Sequence, residues 1–240
     1  FAATSTINEL ALSYRHDGFI EQYFYPWNTT SLEYLHRFNF GPVILRGNWS
    51  RRFNIDGGQF EIESYPTLRK GTYAYLNIGT SEAEKIFPRT RYGAEIFQSL
   101  PDAYEISLGF RYLAFITKDV NLYTASLGKY IGDYWLNYRI YYSSQTFGQD
   151  TTNQFLIRRY FSGAKDHITL RHSYGNSPDQ DISVSSIYEL KSWETGLELQ
   201  RPLTSDLLWR LEAAFKHQEL LYDAGFLDQT SVLFGLRTIF

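Results

Sequence analysis

Apolar and polar residues alternate with a period of two along most of this chain, and the helical period is scarce. Near the C-terminal end, Val232, Phe234, Leu236, Thr238 and Phe240 share one face. Ser231, Leu233, Gly235, Arg237 and Ile239 share the other. Tyr134, Leu136, Tyr138, Ile140 and Tyr142 alternate in the same way with Trp135, Asn137, Arg139, Tyr141 and Ser143. Residues 43–52, 103–114 and 206–217 repeat the pattern. Successive side chains of an extended chain point to opposite sides, so each run predicts a strand with one apolar face. Turn-forming clusters punctuate the runs, among them Asn39–Pro42, Asp56-Gly57-Gly58, Lys70-Gly71, Gly132-Asp133 and Pro202–Asp206. The pattern predicts about fourteen strands (roughly 12–16), most of about 8–13 residues. Their expected spans are 6–15, 30–39, 43–53, 58–66, 72–79, 90–99, 103–115, 119–129, 133–145, 151–161, 166–175, 186–201, 206–218 and 229–240.

Strands of this length exceed the roughly 5–6 residues usual in globular proteins and match the roughly 9–11 that cross a bilayer with tilt. Connections near 40–42, 100–102, 131–132, 163–165 and 203–205 are tight, whereas those near 17–29, 80–89, 176–185 and 219–228 are longer. Short turns at one end and longer loops at the other describe a transmembrane antiparallel up-and-down β-barrel. An even strand count puts both termini on the short-turn side, expected to be periplasmic. No linker, repeat or charge block divides the chain, so residues 1–240 form one barrel domain. A soluble up-and-down barrel or propeller is the alternative all-β reading.

Composition narrows the classes. The 240 residues hold 20 Tyr, 18 Phe and 5 Trp but no cysteine or methionine. Zero cysteine excludes a disulfide scaffold, a thiol nucleophile and cysteine-ligated metal. A net charge of −3 offers no basic field for nucleic acid. No window is apolar enough for a transmembrane helix, and the mean hydropathy is −0.35. A membrane barrel hides its lipid face from such an average, because lipid-facing residues alternate with polar ones. The chain starts at Phe1 without a signal-peptide pattern, so the expectation is either a leader removed before this numbering begins or a fragment of a longer chain. Many aromatics fall near expected strand ends, where an interfacial girdle would place them: Tyr14, Trp27, Phe38, Tyr65, Tyr73, Tyr92, Tyr112, Tyr130, Trp135, Tyr160 and Trp193. Trp49, Trp135 and Trp209 are expected on the lipid face.

The polar face carries Arg46, Arg52, Glu61, Glu63, Arg91, Glu95, Glu105, Arg111, Arg139, Arg158, Arg171, Glu194, Glu198, Arg210 and Glu212, with Arg237 near the end. Its cations are all arginine, which pairs with carboxylates through a planar fork. The plain expectation is a lattice of charges that pair across the lumen and fill it. The functional expectation is a narrow polar channel or binding cavity, since a barrel of about fourteen strands has more interior than the eight-stranded type. The first long loop holds Phe19, Tyr23, Phe24, Tyr25 and Trp27. It reads as a segment folding over the extracellular mouth, or as an aromatic platform for sugar rings or a partner protein.

Catalytic signals are thin. His172 and Ser173 are adjacent in a strand and point to opposite faces, unlike the Ser–His pair of an interfacial hydrolase. Asp179, Asp181, Asp223, Asp228 and His217 lie near the expected extracellular rim, where a protease would need converging groups, but loop acids are usually just solvated. Neither a zinc, calcium, nucleotide or dinucleotide motif is present, so no cofactor is expected.

The stretch Gly71–Leu76, Ser81, Ile86-Phe87-Pro88, Arg91–Gln98, Ser107–Leu113, Ser126–Tyr130, Tyr134-Trp135, Arg139 and Arg158–Phe161 resembles the YaiO-like outer-membrane β-barrel family over about 45–175. The ending on Phe240, with apolar residues at alternate positions behind it, resembles the C-terminal signal read by the barrel-assembly machinery. The resemblance implies a bacterial outer-membrane address, sometimes behind tetratricopeptide repeats, of which none occurs here, and sometimes near polysaccharide-related proteins. It implies no reaction. The expected function is a non-enzymatic barrel that binds or passes a polar ligand, a saccharide among the candidates. The alternative is a structural barrel within a larger outer-membrane assembly. Expected partners are outer-membrane lipid, the assembly machinery during insertion, and other outer-membrane or periplasmic proteins, with no nucleic acid.

Overall fold

The computed structural model describes residues 8–20, 25–82, 86–116, 119–145, 148–175, 191–219 and 225–240. The strands are β1 (Asn8–Phe19), β2 (Trp27–Phe38), β3 (Gly41–Arg52), β4 (Ile55–Ser64), β5 (Thr67–Arg69), β6 (Thr72–Ser81), β7 (Thr90–Ser99), β8 (Tyr104–Ala114), β9 (Asp119–Ile131), β10 (Tyr134–Gln145), β11 (Gly148–Tyr160), β12 (His167–Gly175), β13 (Ser192–Pro202), β14 (Leu207–Glu219) and β15 (Phe226–Ile239). Apart from β4 and β5, strands adjacent in sequence pair antiparallel. β1 pairs with β15 and β4 pairs with β6, so fourteen strands close into a barrel. Closure leaves no open edge, the condition for crossing a bilayer with strands. Chain ends meet in the ladder, where Asn8 and Phe240 exchange backbone hydrogen bonds of 2.8 and 2.9 Å. β5 continues the path of β4 past Tyr65-Pro66; Thr67 N still donates to Phe40 O at 2.7 Å, while Pro66 has no N–H to give the ladder.

The barrel inverts a soluble protein. Leu12, Leu32, Ile78, Ile96, Leu108, Leu197 and Val232 face outward and exposed, while Glu61, Glu95 and Glu212 are buried inside. Apolar side chains in contact with lipid cost nothing, and charges must find partners within the wall. The fourteen spanning strands run from nine residues in β12 to fourteen in β15, lengths suited to a tilted crossing.

Three sequence expectations change. Asp56-Gly57-Gly58 is not a turn: these residues pair with Arg51, Ser50 and Trp49 inside β4. The reversal lies one step earlier at Phe53-Asn54, both with positive φ, 55° and 58°. That is the backbone a two-residue hairpin needs, and the Phe53 ring offsets its strain by packing on Trp27 at 5.0 Å. Gly58 serves instead as a bare position beside the Trp49 ring, 3.5 Å from where its Cβ would stand. The strand expected over 186–201 is β13 from Ser192 to Pro202, and its expected residues 186–190 lie outside the described residues. Finally, the aromatic girdle is only partly external. Tyr14, Phe38, Tyr92, Tyr112 and Trp193 lie outside, but Tyr65 and Trp135 line the interior, Trp27 is buried, Tyr73 bonds to the inward Glu105, Tyr130 sits opposite Trp135 and Tyr160 packs on His167. Trp135 is therefore not on the lipid face. Proximity to a strand end fixes depth, but parity along the strand fixes the side.

Candidate functional site

The lumen holds a cavity of about 720 Å³ lined by residues of β1 to β4, β6 to β8, β10 to β12, β14 and β15. Its wall is a lattice of ion pairs. Glu9 takes Lys165 at 2.6 Å and Arg237 at 2.9 Å, and Arg237 also reaches Glu33 at 3.2 Å. Arg46 donates Nε to Glu33 at 2.8 Å and Nη1 to Glu63 at 2.7 Å. Glu61 receives Asn48 and Asn77 at 3.1 Å each and Arg91 at 3.5 Å. On the next strands Glu95 accepts Ser107 Oγ at 2.6 Å and Arg139 at 2.7 Å, with Arg111 at 3.8 Å. Across the barrel Glu198 meets Arg210 at 2.7 Å, His167 at 3.0 Å and Arg158 at 3.4 Å. Glu212 meets Arg210 at 2.8 Å, Arg171 at 3.2 Å and Arg15 at 3.5 Å. Arginine suits these nodes because one guanidinium has five donors and spans two carboxylates, as Arg46 does.

Two strand glycines make room for the lattice. A Cβ on Gly109 would stand 2.7 Å from Glu95 Cβ, and one on Gly79 would stand 2.9 Å from both Arg91 Cγ and Glu61 Cγ. Their absence lets the charged stems lie flat against the wall.

The lattice is layered. Glu61, Glu95 and Glu212 have side chains 3%, 2% and 6% exposed, while Arg46, Arg171 and Arg210 stand at 21%, 30% and 38%. At Glu61 and Glu212 the more exposed Arg46, Arg171 and Arg210 reach over the acid, whereas Arg91, Arg111 and Arg139, at 9%, 11% and 13%, are nearly as enclosed as Glu61 and Glu95.

Of the polar-face residues read from the sequence, Arg46, Arg52, Glu61, Glu63, Arg91, Glu95, Arg111, Arg139, Arg158, Arg171, Arg210 and Glu212 line the cavity. Glu194 and Glu198 stand behind Arg171 and Arg210, and Glu105 accepts the Tyr73 hydroxyl at 3.3 Å. Sequence reasoning missed Glu9, Arg15 and Glu33, although their parity with Ser13 and Ser31, which also line the cavity, carries the signal.

Where Arg89 leads into β7, the lumen turns apolar. Ile86, Phe87 and Pro88, which precede β7, fold inward and line the cavity, with Ile86 only 1% exposed. Leu113, Phe115, Val120 and Leu122 form an apolar cluster at the same end. Arg52 lies between the two aromatic rings there, its Cζ 5.2 Å from Trp27 and 5.7 Å from Phe87. Trp27 is thereby enclosed by Phe19, Phe53 and Arg52 and is no open platform. Tyr25 is exposed, and Tyr23 and Phe24 lie outside the described residues. His172 bonds Thr195 at 2.8 Å, and His217 bonds Asp228 at 2.5 Å while stacking on Trp193 and Phe226. Asp179, Asp181 and Asp223 lie outside the described residues.

Among curated proteins none matches the chain. Three solved structures share its fold: Omp33 of Acinetobacter baumannii (TM-score 0.57, 10% identity, 98% of this chain and 99% of that one), Pseudomonas aeruginosa OpdQ (0.52, 10%, 98% and 97%) and Pseudomonas aeruginosa OpdO (0.51, 12%, 98% and 96%). At such identity the likeness speaks for the barrel alone. A profile described as the YaiO membrane beta barrel domain matches residues 7–180, well over half the sequence, across strands β1 to β12. With a closed fourteen-stranded barrel, an apolar exterior and that match, the chain belongs to the YaiO membrane β-barrel family and resides in the bacterial outer membrane.

Proposed function

We propose that this barrel is a non-enzymatic outer-membrane protein that takes a polar solute, saccharides included, into its lumen and binds or passes it. The carrying observation is the cavity of about 720 Å³, lined chiefly by charged and amide side chains. A lattice that only braced the wall would have no need to leave that volume open. The divided faces of the hydrolase candidates support the absence of catalysis, since His172 reaches Thr195 on the outer face while Ser173 occupies the next, inward position. Both termini belong on the periplasmic side in this reading, with Phe240 as the assembly signal. Purified protein in planar bilayers should give discrete conductance steps, and proteoliposomes should swell in a small neutral sugar. A barrel that neither conducts nor admits or binds any solute would refute the proposal. The second reading, a structural subunit of a larger assembly, draws on the same dense lattice. It predicts a partner that co-purifies in mild detergent, and a protein that always runs alone would end it.

A further inference from the structure

The cavity is not neutral. Among the described residues it is lined by nine arginines and five glutamates. Glu198 and Glu194 compensate part of this from behind Arg210 and Arg171, so the two sides of the lumen differ. The uncompensated side is the corner beneath Phe87. Arg52 is 3% exposed, lines the cavity and has no carboxylate within 4.0 Å among the described residues; its Nε donates to Ser50. Arg91 is 7% exposed and, among the described residues, meets only the carboxylate of Glu61, at 3.5 Å, an acid it shares with Arg46, Asn48 and Asn77. Its Nε is buried with no acceptor, and so is Nε2 of Gln59, 6% exposed and also on the cavity wall.

The unmet groups share one sign. Gln59 Nε2 and Arg91 Nε are N–H donors, as are Trp135 Nε1 and Arg210 Nε, which are also buried without acceptors elsewhere on this wall. A buried donor without an acceptor costs stability, so a corner that accumulates donors and positive charge is built for acceptors that arrive with a ligand. Neutral sugars bring hydroxyls that must donate as well as accept. A carboxylate or phosphoryl group only accepts, and it pairs with guanidinium forks bidentately.

We propose that the corner formed by Arg52, Gln59 and Arg91 is an oxyanion subsite, which makes the barrel selective for small anionic solutes, carboxylated or phosphorylated, over neutral ones. This deepens the reading of the lumen as a polar-solute site and rests on it. The test is calorimetric titration of the purified full chain in detergent with galacturonate, inorganic phosphate and galactose, alongside reversal potentials in a KCl gradient. At least one of the two anions should bind at least about tenfold more tightly than galactose, the scale of one charge-assisted contact. Galacturonate alone binding assigns a carboxylated solute, and phosphate alone a phosphorylated one. Arg91→Gln and Arg52→Gln should each weaken the anion about tenfold. Arg51→Gln removes the same charge from the exposed side of β3 and should leave affinity unchanged. If the arginine variants do not fold, the wild-type ranking still decides. Galactose binding as tightly as both anions, or a cation-selective conductance, overturns the subsite while leaving the polar-solute function standing. No binding of any probe and no conductance overturns both.

Discussion

Glu95→Gln removes one negative charge from the most enclosed node of the lattice while keeping shape. The Glu95 side chain is 2% exposed, and its partners Arg139 and Arg111 are 13% and 11% exposed. Breaking a fully buried pair costs about 3–5 kcal/mol, because the remaining charge is stranded. Arg139 can turn part of its guanidinium to the cavity and also holds Thr124 at 3.1 Å, so some of that is recovered. The Arg111 contact, at 3.8 Å, adds little. The expected loss is about 2–3 kcal/mol, the range of a single charge-assisted hydrogen bond. Asp56→Asn is the contrast: its partner Arg51 stands 3.9 Å away and both side chains are about half exposed or more, so the loss should be under about 0.5 kcal/mol. Urea unfolding of refolded protein in lipid vesicles, followed by tryptophan fluorescence and gel mobility, measures both. The double variant with Arg139→Gln should lose less than the sum of the singles. A Glu95→Gln loss no larger than that of Asp56→Asn would refute the claim that these pairs hold the wall.

The remaining expectations use other faces of the barrel. Leu108 is the most exposed large apolar residue described, at 70%, so Leu108→Arg should cost about 2–4 kcal/mol in vesicles if it lies at the bilayer midplane; an unchanged unfolding midpoint would argue against a lipid-facing position. Phe87→Ala should widen the apolar end and raise single-channel conductance, and an unaltered value would show that this side chain does not limit the path. In the turn before β12, hydrogen bonds from Arg201 and then Ser162 hold the Asp166 carboxyl below its ordinary value. A carboxyl lowered in the folded state contributes stability above the unfolded pKa of about 3.9 and loses it as pH falls through the folded value. Asp166→Asn should therefore flatten the acid limb of unfolding midpoint against pH, and an acid limb identical to wild type would remove Asp166 as its source.

Much of the architecture was legible from the alternation alone, for a physical reason. A strand's two faces are set by residue parity, and a barrel wall with lipid outside and charge inside imposes that parity on every strand. Leu10, Leu12 and Tyr14 against Glu9, Ser13 and Arg15 say which side is which once one side is known. Strand number and length followed from such runs. Tertiary structure decided what parity leaves open. Register brings Arg237 to Glu9 and Glu33, more than two hundred positions away in sequence. The reversal at Phe53-Asn54 rests on the Trp27 ring packed over it. The inward fold of Ile86-Phe87-Pro88, which brings these residues onto the cavity wall, has no period to announce it. The surplus of donors beneath Phe87 is likewise invisible in a net charge of −3, because it arises from which arginines find carboxylates and which do not. Face is a local property of an extended chain; partnership is a property of closure.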